Sequence, residues 1–299
     1  MLRRAILAAA DSPRIQRFVG RYGMRLGAAR FVAGETLDDA VVTLRRLNEQ
    51  GLRTNTTLLG EGVADAEATR RVVEAYEEVL RRIDAEQLQT NVALKLTHLG
   101  ALIDEELAYG NLERLVAEAA RLGNFIRIDM EDSPLVDVTL RIYRRLREAG
   151  HDNVGTVLQA YLYRSEADLD SLLPLSPNLR IVKGAYKEPP DVAYPRKADV
   201  DDAYRRLVER SAAGRGFTAV ATHDERLIEH ALGLGASSDR VELQMLYGVR
   251  PQLQLDLVRR GHRVLVATPY GPDWYPYLMR RLAERPANLL FFVKSALRS

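Results

Sequence analysis

Residues 92–97 read VALKLT, a short apolar run of strand-forming residues with a single charge, Lys95, in its interior. A run of this length is short for a helix, and it is typical of a strand that is buried on both faces. Seven other runs share its length and composition. The predicted strands are residues 52–59, 92–97, 125–130, 154–162, 179–186, 217–223, 241–247 and 263–268.

Amphipathic helical patterns separate these runs. They cover residues 64–83, 112–122, 135–149, 165–173, 200–213, 225–234 and 251–260, and residues 274–283 follow the last strand. Strands that alternate with helices pair in parallel, and eight such units in 299 residues indicate an α/β fold of the (β/α)8 TIM-barrel type.

A doubly wound open sheet is the alternative architecture. No GxGxxG loop follows the first strand and no GxxxxGK[ST] loop is present, so neither phosphate-binding motif supports that alternative. We therefore expect a single domain over residues 1–299. In it, a helical segment of about residues 1–50 precedes a barrel of about residues 51–299.

The composition excludes several classes of site. The chain has no cysteine, so disulfides and thiolate metal sites are excluded, and its five histidines form neither HxH nor HExxH, so we predict no metal. The net charge of +2 is spread along the chain, which weighs against a nucleic-acid partner. No run approaches the roughly 18 apolar residues of a membrane span. We expect a cytoplasmic protein whose membrane contact, on the inner membrane, is peripheral.

Lysine is rare in this chain: five of its 43 basic residues are lysines, and two of these, Lys95 and Lys183, lie inside apolar strands. A buried lysine costs free energy unless it is paired. Both lysines are therefore candidates for a functional site.

In barrels of this type the site lies at the carboxyl ends of the strands. The alternation of a strand puts Arg127, Asp129 and Glu131 on one face of the third run, and Lys183 on the opposite face from Arg180 in the fifth. Polar residues also mark the ends of other strands, namely Glu61, Lys95, Gln159, Thr222, His223 and Gln244. Each has a plain structural explanation alone, but their convergence on one end of the barrel favours a site.

The last helical pattern carries Tyr277, Arg280, Arg281 and Glu284 at i, i+3, i+4 and i+7, along one stripe. Two adjacent guanidinium groups can bind one carboxylate, and Glu284 can hold one of them. Taken alone, the stripe is better explained as a solvated basic face. The chain also lacks GxSxG and cysteine nucleophiles, which indicates that a cofactor carries the difficult chemical step.

These segments resemble the proline dehydrogenase family, including the corresponding domain of proline utilization A. The matching motifs are VALKLT (92–97), IRIDMED (126–132), VLQAY (157–161), RIVKGAY (180–186), ATH (221–223), ELQMLYG (242–248) and YLMRRLAE (277–284). They occur in the family's order over roughly residues 50–299. The resemblance implies a distorted barrel that holds FAD noncovalently, with the last helix over the barrel mouth.

The implied reaction is the first step of proline catabolism, in which L-proline is oxidised to Δ1-pyrroline-5-carboxylate by hydride transfer from C5 to the flavin N5. A quinone is the implied electron acceptor. The product would pass to a separate pyrroline-5-carboxylate dehydrogenase, because no module of that kind is visible in the sequence.

The resemblance also implies residue roles. Lys95, Arg280 and Arg281 bind the substrate carboxylate, Asp129 balances Lys95, and Arg180 lies beside the flavin N5. Glu61 is the implied gate, which pairs with the first arginine of the clamp. Tyr186 and Leu246 line the substrate pocket. The implied FAD contacts are Met130, Gln159, Arg180, Lys183, Gly184, Ala185, Thr222, His223, Gln244 and Glu284.

One position departs from the family pattern. Many members carry a tyrosine two residues before the proline of the last strand, where this chain has Ala267. The smaller side chain implies a roomier substrate pocket, and we expect weaker discrimination against 4-hydroxyproline.

Two other functions fit the residues without the resemblance. A Schiff-base aldolase or lyase would use Lys95 or Lys183 as its nucleophile and Asp129 as a proton relay. A noncatalytic carboxylate-binding barrel is the third possibility, and the number of converging ionisable groups disfavours it.

Overall fold

The protein is seen in a computed structural model that describes residue 24 and residues 27–234 and 239–284, the side chains of residues 280–284 excepted. Its strands are β1 Arg53–Leu58, β2 Thr90–Lys95, β3 Ile126–Asp129, β4 Val154–Gln159, β5 Asn178–Val182, β6 Phe217–Ala221, β7 Val241–Leu246 and β8 Val264–Tyr270. Each strand pairs in parallel with the next, and β8 pairs with β1, so the sheet closes. The predicted (β/α)8 barrel is confirmed.

Helices alternate with these strands in the described part of the chain. They are α1 Leu37–Glu49, α2 Ala66–Ala85, α3 Glu105–Arg121, α4 Val136–Glu148, α5 Ser165–Leu172, α6 Lys197–Ala213, α7 Glu225–Gly233, α8 Pro251–Arg259 and α9 Trp274–Glu284. Short 3₁₀ helices cover Ala28–Arg30, Leu96–His98, Ser133–Leu135 and Leu173–Leu175. Among the helices that the structure describes, none combines the length and apolar character needed to cross a membrane.

Most boundaries lie within a few residues of the prediction, and α3 is the main exception. It begins at Glu105, seven residues before the predicted start, because Asp104 caps it by accepting a hydrogen bond from the backbone N–H of Leu107 at 2.9 Å. Glu105 and Glu106 then occupy the first turn, where acidic residues are favourable. Gly110 lies just after this turn, and because glycine is a poor helix former the sequence pattern predicted a later helix start.

The predicted fourth and fifth strands are too long. The structure ends β4 at Gln159 and β5 at Val182, although the apolar sequence continues beyond both. Gly184 adopts φ +110, which an extended strand cannot continue, so the backbone turns away there.

The main core lies between the barrel wall and the helices. Strand residues that face outward, such as Leu94, Ile128 and Ile181, are fully buried there, as are Leu80 of α2 and Leu112 of α3. Truncating one such leucine to alanine typically costs about 2–5 kcal/mol. This packing fixes the strand ends that carry the polar residues.

Helix α1 packs against both β1 and β8, the two strands whose pairing closes the barrel. A capping box between Thr36 and Asp39 starts the helix. Of the rest of the predicted helical segment, residues 27–36 contain only the 3₁₀ helix Ala28–Arg30, and residues 1–23, 25 and 26 lie outside the described residues.

Helix α9 packs in a second hydrophobic cluster, separate from the main core. In this cluster Trp274 and Leu278 are buried with Phe31, and Leu59 and Leu246 pack against them. Leu59 follows β1 and Leu246 ends β7, so the cluster lies at the carboxyl end of the barrel. The last helix therefore lies at the barrel mouth, as expected.

Candidate active site

The barrel interior is polar, and the guanidinium group of Arg180 lies at its centre. Arg180 projects from β5 and donates hydrogen bonds to Asp129 Oδ1 on β3 at 2.6 Å, Gln244 Oε1 on β7 at 2.5 Å and Asn55 Oδ1 on β1 at 3.1 Å. These partners come from three different strands. The planar guanidinium is consequently fixed in both position and orientation.

Lys95 ends β2 and is in register with Asp129 of β3, so both side chains project from the same face of the sheet, into the barrel. Lys95 nevertheless forms its ion pair with Glu61, while Asp129 pairs with Arg180. The expectation that Asp129 balances Lys95 is therefore wrong for this structure. The reason is reach: Arg180 crosses the barrel to Asp129, and the loop after β1 brings Glu61 to Lys95.

The loop that carries Glu61 is anchored on the turn after β2. The backbone N–H of Gly62 donates to Thr97 Oγ1 at 3.2 Å, and that of Val63 donates to the Thr97 carbonyl at 3.1 Å. A Cβ atom at Gly60 would lie 2.5 Å from His98 Nε2, so only glycine lets the loop approach the imidazole this closely. The ion pair between Glu61 and Lys95 thus rests on a close backbone contact.

Two buried ionisable groups support this turn. Glu131 accepts hydrogen bonds from the Thr97 backbone N–H at 3.0 Å and from Thr97 Oγ1 at 2.6 Å. Burial raises the pKa of Glu131, and the Thr97 hydrogen bonds partly oppose that shift. Burial, followed by the positive charge of Lys95, lowers the pKa of His98 to about 4, so this imidazole is neutral at pH 7.

The end of β4 offers a hydrogen-bond acceptor. Gln159 Nε2 donates to the Glu131 carbonyl at 3.1 Å, and Gln159 Oε1 is buried without a hydrogen-bond partner among the described residues. A buried acceptor without a donor is costly, which makes the site suitable for a ligand N–H. Met130, the residue after β3, is also buried.

The turn after β5 brings its backbone close to an aromatic ring. A Cβ atom at Gly184 would overlap the ring of Tyr161, and the positive φ of Gly184 also disfavours any other residue. Ala185 is exposed and Tyr186 is half-buried.

Lys183 faces away from Arg180, as the strand alternation predicts. Its ammonium group donates to Asp201 on α6 at 2.5 Å and to Asp224 at 3.4 Å. Asp224 also caps α7 by accepting a hydrogen bond from the backbone N–H of Arg226 at 3.2 Å. The contact of Lys183 with FAD stays a prediction.

The ends of β6 and β7 are joined by hydrogen bonds. His223 Nε2 accepts from the Leu246 backbone N–H at 2.9 Å, and the Thr222 backbone N–H donates to the Gln244 carbonyl at 3.2 Å. Leu246 is in register with Ala267, which is in register with Asn55 on its other side. Ala267 and Leu246 are half-buried neighbours near the barrel mouth.

Three interior residues were not singled out from the sequence. Asn55 donates to Asn91 Oδ1, and Glu242 accepts from Gln244 Nε2 at 2.8 Å. Asn55, Asn91 and Glu242 are polar residues at inward-facing positions within strands, and the sequence alternation shows those positions. Attention to the strand ends missed Asn55 and Asn91, and it assigned no role to Glu242.

Arg280, Arg281 and Glu284 belong to α9, and the structure describes their backbone but not their side chains. The predicted carboxylate clamp and the pairing of Glu61 with Arg280 therefore stay predictions.

Comparison with known proteins identifies relatives of the whole chain. The family described as proline dehydrogenase matches residues 40–294. The chain is 43% identical to proline dehydrogenase of Deinococcus radiodurans, covering 100% of this chain and 98% of that protein. It is 41% identical to proline dehydrogenase 1 of Bacillus subtilis strain 168, covering 100% of both.

A solved structure shares the fold. Proline utilization A (PutA) from Bdellovibrio bacteriovorus superposes with a TM-score of 0.81 at 21% identity, covering 93% of this chain and 38% of that one. At this identity the likeness shows the fold alone. The full-length relatives establish an oxidoreductase that acts on a CH–NH bond, and the chain belongs to the proline dehydrogenase family.

Proposed function

We propose that the chain uses noncovalently bound FAD to oxidise L-proline to Δ1-pyrroline-5-carboxylate, the first step of proline catabolism. The fixed guanidinium of Arg180, with Asp129 and Lys95 beside it at the carboxyl end of the barrel, carries the proposal. A positive charge held there by three acceptors can stabilise negative charge that develops during the reaction, and it needs no rearrangement.

The residues around Arg180 fit a flavin. Gln159 Oε1 is a buried acceptor with no donor among the described residues, and it lies at the carboxyl end of β4, where a ligand N–H could reach it. FAD, when bound, supplies the two-electron acceptor that takes a hydride from C5 of proline. The residues that would hold it are Met130, Gln159, Arg180, Lys183, Gly184, Ala185, Thr222, His223, Gln244 and Glu284.

The substrate carboxylate would bind Lys95 together with Arg280 and Arg281. Charge-assisted hydrogen bonds to one carboxylate orient the proline ring and restrict its motion. Glu61 forms an ion pair with the Lys95 ammonium group in this structure. We therefore assign Glu61 the role of a gate, which must release that ammonium group before the substrate carboxylate can bind it. Asp129 acts by keeping the Arg180 guanidinium in place.

The pocket walls would come from Tyr186, Leu246 and Ala267. Ala267 adjoins Leu246 in register and carries a single methyl group where many family members have a tyrosine. The extra space supports activity on 4-hydroxyproline as well as on proline.

Quinone is the proposed electron acceptor, and a separate pyrroline-5-carboxylate dehydrogenase is the proposed consumer of the product. We propose a cytoplasmic enzyme that meets the inner membrane peripherally, with no nucleic-acid partner. These assignments rest on membership of the family.

The Schiff-base lyase is disfavoured by the surroundings of its two lysines. Lys95 pairs with Glu61, and Lys183 pairs with Asp201 and Asp224. An ion pair stabilises an ammonium group, whereas a Schiff-base nucleophile must be a neutral amine.

A visible absorption spectrum of the purified protein separates the two functions. Flavin bands that bleach when proline is added, without oxygen, are the expected result. A colourless protein that becomes covalently labelled by substrate in the presence of borohydride would overturn the proposal in favour of the lyase.

A further inference from the structure

The buried carboxylate of Glu242 is linked to Arg180 through one intervening side chain, the amide of Gln244. Arg180 Nε donates to Gln244 Oε1 at 2.5 Å, and Gln244 Nε2 donates to Glu242 Oε1 at 2.8 Å. All three residues are buried, with 4–7% of their surface exposed. The register of the sheet connects Arg180 through Ala219 to Glu242, so the carboxylate lies on the same layer of the barrel as the base of the arginine.

The chemistry of the two ends fixes the amide between them. A guanidinium group can only donate hydrogen bonds and an ionised carboxylate can only accept them, so Gln244 has one orientation that satisfies both. The other carboxylate oxygen of Glu242 lies 3.9 Å from Arg53 Nε and 3.9 Å from Arg263 Nη2, which balances its charge. A neutral amide at position 242 could still accept through its oxygen, but the hydrogen bond would lose its charge assistance and would hold the Gln244 amide less firmly.

We infer that Glu242 is a positioning residue for the reaction: it orients the Gln244 amide, which in turn holds the Arg180 guanidinium in its catalytic place. The inference rests on the proposed function, since it gives Arg180 its role beside the flavin. Glu242 acts through Gln244, on the far side of that amide from Arg180.

The decisive experiment exchanges the two residues. In Glu242→Gln/Gln244→Glu, the carboxylate moves next to Arg180 and accepts its Nε–H, while the new amide at 242 donates to it. Net charge and side-chain composition are unchanged. By contrast, Glu242→Gln alone removes the charge, and Gln244→Glu alone puts two carboxylates at hydrogen-bond distance in a buried site. Gln244→Met is a fourth variant, which removes both hydrogen bonds without changing the charge.

We expect Glu242→Gln, Gln244→Glu and Gln244→Met each to lower kcat about tenfold or more. KM for proline should change less than about threefold, because the carboxylate-binding residues are untouched. The exchanged variant should recover most of the lost kcat and the flavin absorption spectrum of the parent. Thermal unfolding of all four flavin-free variants reports stability separately, and Gln244→Met keeps the test open if a charged variant does not fold.

A yellow, proline-reducible parent combined with unchanged kcat in Glu242→Gln and Gln244→Met would overturn this inference and leave the proposed function standing. An exchanged variant as impaired as the single variants would overturn it too. A parent without flavin bands would overturn the proposed function, and the inference with it.

Discussion

The ammonium group of Lys95 pairs with the carboxylate of Glu61 at the barrel mouth, although Asp129 is the neighbour of Lys95 in the sheet. The two anions are therefore divided between two cations: Glu61 serves Lys95, and Asp129 serves Arg180. Under the proposed function, a substrate carboxylate would have to displace Glu61, the more exposed of the pair, to reach Lys95. The resting site is thus occupied by the protein's own carboxylate.

Replacing the lysine removes one of the charges that would bind the substrate. In Lys95→Met we expect KM for proline to rise about tenfold to a hundredfold. This increase corresponds to the loss of one charge-assisted hydrogen bond, which contributes about 1.5–3 kcal/mol. Steady-state kinetics measure it. Lys197→Met, at a lysine paired with Asp201 on the protein surface, is the matched control. An unchanged KM in Lys95→Met would remove this residue from the clamp.

The same pair can be tested for coupling. Because Glu61 contacts Lys95, adding Glu61→Gln to Lys95→Met should change KM by less than Glu61→Gln does in the parent. Full additivity of the two changes would show that Glu61 acts independently of Lys95.

The close approach of Gly60 to His98 predicts that adding one methyl group at position 60 lowers the stability of the protein. Gly60→Ala places a Cβ atom 2.5 Å from His98 Nε2, so we expect a loss of about 1–3 kcal/mol and a higher KM for proline as the Glu61 loop is displaced. Thermal unfolding and steady-state kinetics measure the two effects.

Gly110→Ala is the control for the same substitution. Gly110 lies inside α3 with nothing within 4 Å of its added Cβ atom, so alanine should stabilise the protein by up to about 1 kcal/mol. The double variant Gly60→Ala/His98→Ala should restore KM toward the parent value. If Gly60→Ala is as stable and as active as Gly110→Ala, the close contact has no consequence.

The neutral imidazole of His98 predicts a pH dependence. Its pKa of about 4 in the folded protein lies below the ordinary 6.5, so the unfolded chain binds more protons between these values. Stability from this group is complete above pH 6.5 and is lost as the pH falls toward 4. In His98→Leu this loss is absent. The free energy of unfolding of the parent, relative to that of His98→Leu, should therefore fall by roughly 2 kcal/mol between pH 7 and pH 4.5. Thermal unfolding at both pH values measures it, and a constant difference would contradict the burial of a neutral imidazole.

Substrate choice should respond to the size of residue 267. Ala267→Tyr fills the space beside Leu246, so we expect the ratio of kcat/KM for proline to that for 4-hydroxyproline to rise. The increase should be about tenfold, the scale of one misfitted group in a pocket. Equal ratios in the parent and the variant, measured at equal flavin content, would show that this position does not set specificity.

The sequence predicted the barrel because its strands are short apolar runs separated by amphipathic helices, and both patterns are local. Strand ends were less accurate where apolar residues continue past a turn: the end of β5 depends on φ at Gly184, which no hydrophobic pattern reveals. The faces of Asp129 and Lys183 followed from alternation. Their partners did not, because a partner depends on side-chain reach and on the path of a loop, as Glu61 shows.

Helix α1 contacts the first strand and the last, so one of its two packing partners is synthesised soon after it and the other more than 200 residues later. During synthesis α1 can dock on β1 early, but its contact with β8 must wait until nearly the whole chain has left the ribosome. Until then α1 lacks the part of its packing that β8 supplies. Nascent chains of this enzyme should therefore bind chaperones until β8 emerges, and a deletion that removes α1 should leave β1 and β8 paired but uncovered where the helix packs on them.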